Sequence, residues 1–219
     1  MSVQSVLQQL HSELPSTIKL VAVSKYHPIS KLIEAYEAGQ RCFGENIPQE
    51  FATKVPQMPS DVEWHFIGHL QTNKLKLVLP YARLVHSVDS LHLLEAIDKW
   101  GRANDKMIHV LLELHVGAEQ TKHGFTEDEI LNVLSHADDY LSVRFCGLMG
   151  MATNTDDKEI VKADFSRIAS FKASLNEKFP KLSSFKELSI GMSEDYQIAV
   201  ECGATIVRIG SKIFGPREY

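Results

Sequence analysis

The sequence predicts an α/β fold, a single (β/α)8 barrel, and three observations carry that expectation. Eight short apolar or β-branched runs recur along the chain, each followed by a helical spacing or a helix-like close, the alternation of a parallel sheet covered by helices. No GxGxxG follows the first run, so the open doubly wound sheet, which also alternates, is disfavoured. No composition break, internal repeat or low-complexity tract divides residues 1–219, which read as one domain.

The stretch from Ser2 to Glu13 is apolar at Val3, Val6, Leu7 and Leu10, a helical spacing expected to form an N-terminal capping helix. The first strand is Ile18 to Lys25. Its consecutive Val21, Ala22 and Val23 suit a parallel strand covered on both faces. Lys31 to Ala38 reads as helix ended by Gly39. A second strand from Gln40 runs into Gly44-Glu45-Asn46, and Pro48 sits in the first turn of a helix to about Val55. Val62 to Ile67 is the third strand, with helix from Gln71 to Leu79.

Arg83 to Ser87 is the fourth strand, and Ser90 to Asn104 a helix with Leu91, Leu94, Ile97 and Trp100 on one stripe. Met107 to Val116 is the fifth strand. Thr126 with Glu129 makes a capping box for a helix to about Ala137. Leu141 to Gly150 is the sixth strand and Asp156 to Phe179 the longest helix. Glu187 to Ile190 is the seventh strand, Ser193 to Gly203 a short helix, and Thr205 to Ile209 the eighth strand.

In such barrels chemistry collects at the C-terminal ends of the strands. Those ends deliver Lys25, Glu45-Asn46, Gly68-His69, Ser87 with Asp89, His115, the loop from Met149 to Asn154, Gly191 with Ser193, and Arg208 with Gly210-Ser211. Lys25 is an amine at the tip of a buried strand. Partial desolvation lowers an ammonium pKa, and a neutral amine condenses with an aldehyde. Local context alone favours the plainer reading, a solvated lysine at a loop start. The loops after strands seven and eight, the usual phosphate site of this fold, bring two serines, backbone N–H groups and a guanidinium. An imine-forming lysine and a phosphate cradle on one rim point to a phosphorylated aldehyde or ketone.

A net charge of −5 with scattered basic residues argues against a nucleic-acid partner. No apolar run approaches the roughly 20 residues of a membrane span, and the N-terminus lacks a secretory pattern. Cys42, Cys146 and Cys202 show no CxxC spacing and read as reduced thiols, so a cytoplasmic location is expected. His65 and His69 flank a strand end, which removes the one-face helix geometry of HExxH, and the histidines show no grouping with cysteine or carboxylates; no metal is expected. Glu45, Glu113 and Glu119 come from separate segments and assert no paired-acid mechanism. Lys74, Lys122 and Lys212 read as solvated, Lys122 least securely because its loop contains glycine.

Five ordered motifs then carry a resemblance: Val21-Ala-Val-Ser-Lys25, Phe43-Gly-Glu-Asn46, Trp64-His-Phe-Ile-Gly-His-Leu-Gln-Thr-Asn-Lys74, Ser189-Ile-Gly-Met-Ser193 and Val207-Arg-Ile-Gly-Ser-Lys-Ile-Phe-Gly215. From about Val21 to Gly215 the chain resembles the pyridoxal phosphate homeostasis proteins, the YggS and PROSC family. The resemblance implies a fold-type III barrel, similar to the N-terminal domain of alanine racemase, that holds pyridoxal 5'-phosphate (PLP) as an internal aldimine on Lys25. It implies further that Ser193 and the Gly210-Ser211 backbone hold the phosphate, that Arg208 faces the pyridine nitrogen, and that Asn46 and His65 line the ring or its approach. Two positions depart from the family pattern: Ile47-Pro48 stands where Tyr-Val is usual, which removes an aromatic ring at 47, and Ile190 replaces a common Met.

The function so implied is non-enzymatic PLP binding in vitamin B6 homeostasis, with apo PLP-dependent enzymes as recipient partners. The alternative is a small amino-acid racemase. Racemases of this fold add a β domain that supplies a tyrosine base across a dimer; the chain ends at Tyr219, so a monomeric carrier is expected. A class I aldolase would share the barrel and lysine but not the Arg208 and Gly191-Met-Ser193 loops.

Overall fold

A computed structural model describes residues 2–116 and 124–216. Lys122 and Glu119 lie outside the described residues. Eight strands, β1 (Lys19–Val23), β2 (Cys42–Glu45), β3 (Glu63–Phe66), β4 (Leu84–Val88), β5 (Ile108–Glu113), β6 (Val143–Met149), β7 (Glu187–Ser189) and β8 (Ile206–Ile209), form a closed barrel in sequence order. All neighbours are parallel, and β1 closes on β8 from Lys19 opposite Ile206 to Ala22 opposite Ile209. The (β/α)8 expectation holds, with every strand in its expected place.

The helices are α1 (Val3–Glu13), α2 (Ile29–Glu37), α3 (Pro48–Lys54), α4 (Leu75–Val78) and α5 (Leu91–Ala103), followed by α6 (Glu127–Ser135), α7 (Lys158–Lys178), α8 (Tyr196–Glu201) and α9 (Ser211–Phe214). Short 3-10 turns extend α3 at Val55–Gln57 and precede α4 at Thr72–Lys74. The capping box of α6 forms as its sequence requires, Thr126 Oγ accepting from Glu129 N–H while the Glu129 carboxylate accepts from Thr126 N–H at 2.8 Å. α1 packs against both α2 and α9, the helices that follow β1 and β8, so it completes the helical ring beside the closing seam. None of the described helices is long and apolar enough to cross a membrane.

Alternation along each strand divides the core in two. Residues such as Ala22, Phe43, Trp64, Phe66, Val85 and Val110 face the helices in one large cluster. Val21, Cys42, Leu84, Leu111, Cys146, Met149 and Ile206 form a smaller cluster inside the barrel. β6 carries a bulge, Val110 pairing with Phe145 and Leu111 with Gly147. Gly147 is required there, since its φ of +151° is unfavourable for other residues and a Cβ would lie 1.9 Å from the Glu187 carbonyl oxygen.

Two elements differ from the sequence reading. On α5 the buried face is Leu93, Leu94, Ile97, Asp98 and Gly101, while Leu91 is 44% exposed and Trp100 only partly buried. Residues spaced three apart drift round a helix of 3.6 residues per turn, so the expected stripe leaves the sheet after one turn. The helix expected from Ser193 starts instead at Tyr196, because Met192 N–H donates to Asp195 Oδ1 at 2.5 Å in a turn that precedes it.

Candidate functional site

A cavity of about 600 Å³ opens at the C-terminal mouth of the barrel. Lys25, Asn46, Ser193, Arg208, Gly210 and Ser211 all stand on its wall. The loop after β6, residues 151–156, supplies the opposite side together with Lys158, whose place there the sequence did not signal.

Lys25 follows β1 between two anchored neighbours. Ser24 N–H donates to the Gly44 carbonyl at 2.9 Å, and Tyr26, at a left-handed φ of +66°, donates its N–H to Glu50 Oε2 at 3.0 Å. Behind this turn a buried ammonium ties three segments together. Lys54 Nζ donates to Glu45 Oε1 at 2.7 Å, to the Ser24 carbonyl at 2.8 Å and to Glu50 Oε2 at 3.2 Å. Ser24 Oγ adds a hydrogen bond to Glu45 Oε1 at 2.7 Å. Burial pushes the Glu45 carboxyl up to about 7 against the opposing pull of Lys54. The network fixes the backbone on both sides of Lys25. Its one sequence signal was the four-residue spacing of Glu50 and Lys54 on α3.

Asn46 follows β2, and its Oδ1 is buried without a hydrogen-bond partner. Nearly all buried polar atoms are satisfied in folded proteins, so an orphan acceptor on a cavity wall marks a position for a ligand donor. Gly68 packs directly against Asn46, and a Cβ there would lie 2.2 Å from the Asn46 carbonyl oxygen.

Arg208, on β8, is 5% exposed. Nη1 donates to the Ser189 carbonyl at 2.8 Å and to Ser189 Oγ at 2.6 Å, and Nη2 to the Gly150 carbonyl at 3.2 Å. Burial draws its pKa down to about 10, which leaves the guanidinium charged at neutral pH. The loops after β7 and β8 are joined by Gly210 N–H donating to Ser193 Oγ at 3.3 Å. First-turn N–H groups of α9, which have no acceptor within their own helix, follow at Ser211 and Lys212. Two hydroxyls, the first-turn N–H groups of α9 and a buried cation on one wall form a donor set suited to an anionic ligand.

His65 is not on that wall. It is 1% exposed inside the barrel, bonded to His86 and Glu63, because alternation along β3 turns Trp64 and Phe66 toward the helices and His65 inward. The expectation that it lines the ring's approach is corrected on this point. His69, Asp89 and Glu113 occupy strand ends outside the cavity wall; His69 Nδ1 lies 2.8 Å from Asp89 Oδ2. Lys212, read as solvated, donates to Tyr196 Oη at 2.8 Å.

The sequence reading found no histidine grouped with cysteine or carboxylate, but the pairing of β2 with β3 sets Cys42 opposite Glu63 and brings ligand atoms of Cys42, Glu63 and His65 within 4.8 Å of one another. The Lys19 ammonium, 2.5 Å from Glu63 Oε1, already supplies the positive charge beside that carboxylate.

The family model for the N-terminal domain of alanine racemase matches residues 2–218. A pyridoxal phosphate homeostasis protein of Vibrio alginolyticus is 35% identical over 217 residues, covering 97% of this chain and 92% of that protein. The human protein of the same name is 37% identical over 230 residues, covering 99% and 83%. The structure of PipY from Synechococcus elongatus with PLP bound superposes with a TM-score of 0.89 at 33% identity, covering 98% of this chain and all of that one. Alanine racemase of Corynebacterium glutamicum, at 15% identity and a TM-score of 0.72, shares the fold over 60% of its length.

Proposed function

Because the chain belongs to the pyridoxal phosphate homeostasis family, built on the alanine racemase N-terminal domain, we propose that its mouth cavity binds PLP and that the protein holds and releases this cofactor without turning over a substrate. The observation that carries the reading is the wall itself, where Lys25, the orphan Asn46 Oδ1, Arg208 and the Ser193–Gly210 pair face one space. When bound, PLP supplies an aldehyde that condenses with amines and a ring that can withdraw electrons.

The Lys25 amine would take the aldehyde carbon, and the Ser24–Tyr26 anchors hold that amine at the cavity edge. Ser193 Oγ and the Gly210 and Ser211 N–H groups would receive the phosphate. Asn46 Oδ1 would accept from a donor on the ring's edge. Arg208 would face the ring nitrogen. A guanidinium has donors only, so it cannot stabilise a proton on that nitrogen, and the ring withdraws electrons weakly as a result. Exchange of one amine for another at Lys25 needs no such withdrawal, whereas removal of a Cα proton does. A cytoplasmic monomer that passes PLP to apo-enzymes is the role consistent with that bias.

Incubating the PLP-loaded protein with L-alanine in deuterated water tests the carrier reading. The expected result is a changed absorption band as the amine enters, with Cα deuteration far slower than in a racemase. Rapid deuteration or formation of D-alanine would establish racemase activity instead.

A further inference from the structure

Beneath the cavity, a line of side chains crosses the barrel interior from its floor to Arg208. Glu63 Oε1 lies 2.8 Å from His65 Nε2, His65 Nδ1 2.8 Å from His86 Nε2, and His86 Nδ1 2.9 Å from Ser189 Oγ. Ser189 Oγ accepts from Arg208 Nη1 at 2.6 Å. His86 and Ser189 are fully buried, and His65 nearly so. At the floor Glu63 also pairs with Lys19 and borders a second cavity of about 360 Å³.

The two ends fix every proton between them. The hydrogen bond from His65 holds the Glu63 carboxyl down at about 2, so Glu63 is an acceptor only, while burial keeps both imidazoles neutral. His65 must then carry its proton on Nε2, which leaves Nδ1 as an acceptor. His86 must donate from Nε2, which leaves its own Nδ1 as an acceptor. Only the Ser189 hydroxyl can donate there. Its proton is committed to His86, and its lone pairs are turned toward Arg208, which has donors only. A single orientation of each group satisfies the whole line, and reversing any link sets two acceptors or two donors face to face.

We propose that His86 is a positioning residue for the cavity: acting through Ser189, and ordered from Glu63 at the barrel floor, it aims the Arg208 guanidinium at the ligand. The proposal rests on the reading that the cavity takes PLP with Arg208 against its ring. Arg208 keeps the Ser189 and Gly150 carbonyls as further acceptors, so breaking the line loosens the guanidinium without releasing it.

The test joins two measurements on the intact protein. Nitrogen-15 NMR of the histidine rings should find His65 and His86 neutral and protonated at Nε2. A proton on His86 Nδ1, or an imidazolium there, would overturn the order of the line whatever the variants do. In the PLP-loaded protein, Ser189→Ala and His86→Phe should each shift the cofactor absorption band and weaken PLP retention roughly tenfold, the worth of one hydrogen bond to a charged group. Ser189→Thr, which keeps the hydroxyl, should restore both. A merely structural role would lower thermal stability and leave the band in place. Wild-type protein that binds PLP, with both variants unchanged in band and retention, overturns this proposal alone; wild-type protein that takes up no PLP overturns it together with the cavity reading.

Discussion

Lys25 was legible as a candidate because an apolar strand ends on it, but the groups that hold it in place were not. Glu45 and Lys54 meet only when α3 folds back over β2, and their ion pair is invisible in either segment alone. Burial lowers the pKa of Arg208 to about 10, and the guanidinium is still charged at neutral pH. Glu113 shows the same force acting on an acid. Burial first, then the charge of Asp89, push its carboxyl from 4.5 up to about 7, with Arg208 opposing. A raised folded-state value means that Glu113 favours folding below pH 4.5 and that this contribution is lost as pH rises through about 7. Glu113→Gln removes the ionisation, and urea unfolding across that window should show a flatter decline than wild type, by up to about 3 kcal/mol. Parallel curves for the two proteins would contradict the assignment.

The strands were readable because each is a short apolar run between turns, and burial on both faces leaves no competing pattern. Helix faces were less so. On α5 the apolar residues spaced three apart gave a stripe, yet the face that packs includes Asp98, whose Oδ1 accepts from Ser142 N–H at 2.8 Å, and Gly101. Apolar spacing cannot find a buried carboxylate or a glycine. Gly101 is a contact point: a Cβ there would lie 2.7 Å from Ser142 Cβ and 2.8 Å from the Lys106 carbonyl oxygen. Alanine in a helix gains about 1 kcal/mol over glycine, while overpacking against a fixed backbone costs about 1–3 kcal/mol. The clash should win. Gly101→Ala is expected to lower Tm by a few degrees, where a rise would show that α5 can move away from Ser142 and the Lys106 carbonyl at no cost.

Closure of the barrel decides what no local pattern could. The order of eight strands and the rim bearing Lys25, Asn46, Ser193, Arg208, Gly210 and Ser211 followed from alternation and from the strand-end rule. The barrel interior did not, because His65 and His86 belong to different strands and join only across the β3–β4 pairing. The same closure gathers the cavity wall from residues spread over most of the chain, so the account stands on whether PLP is held there. The most direct measurement is borohydride reduction of the PLP-loaded protein followed by peptide mapping. A pyridoxyl group on Lys25, absent from Lys25→Ala even though that variant keeps weak phosphate-dependent binding, is the expected result; a label confined to Lys74, Lys122 or Lys212, with Lys25 unmodified, would contradict it.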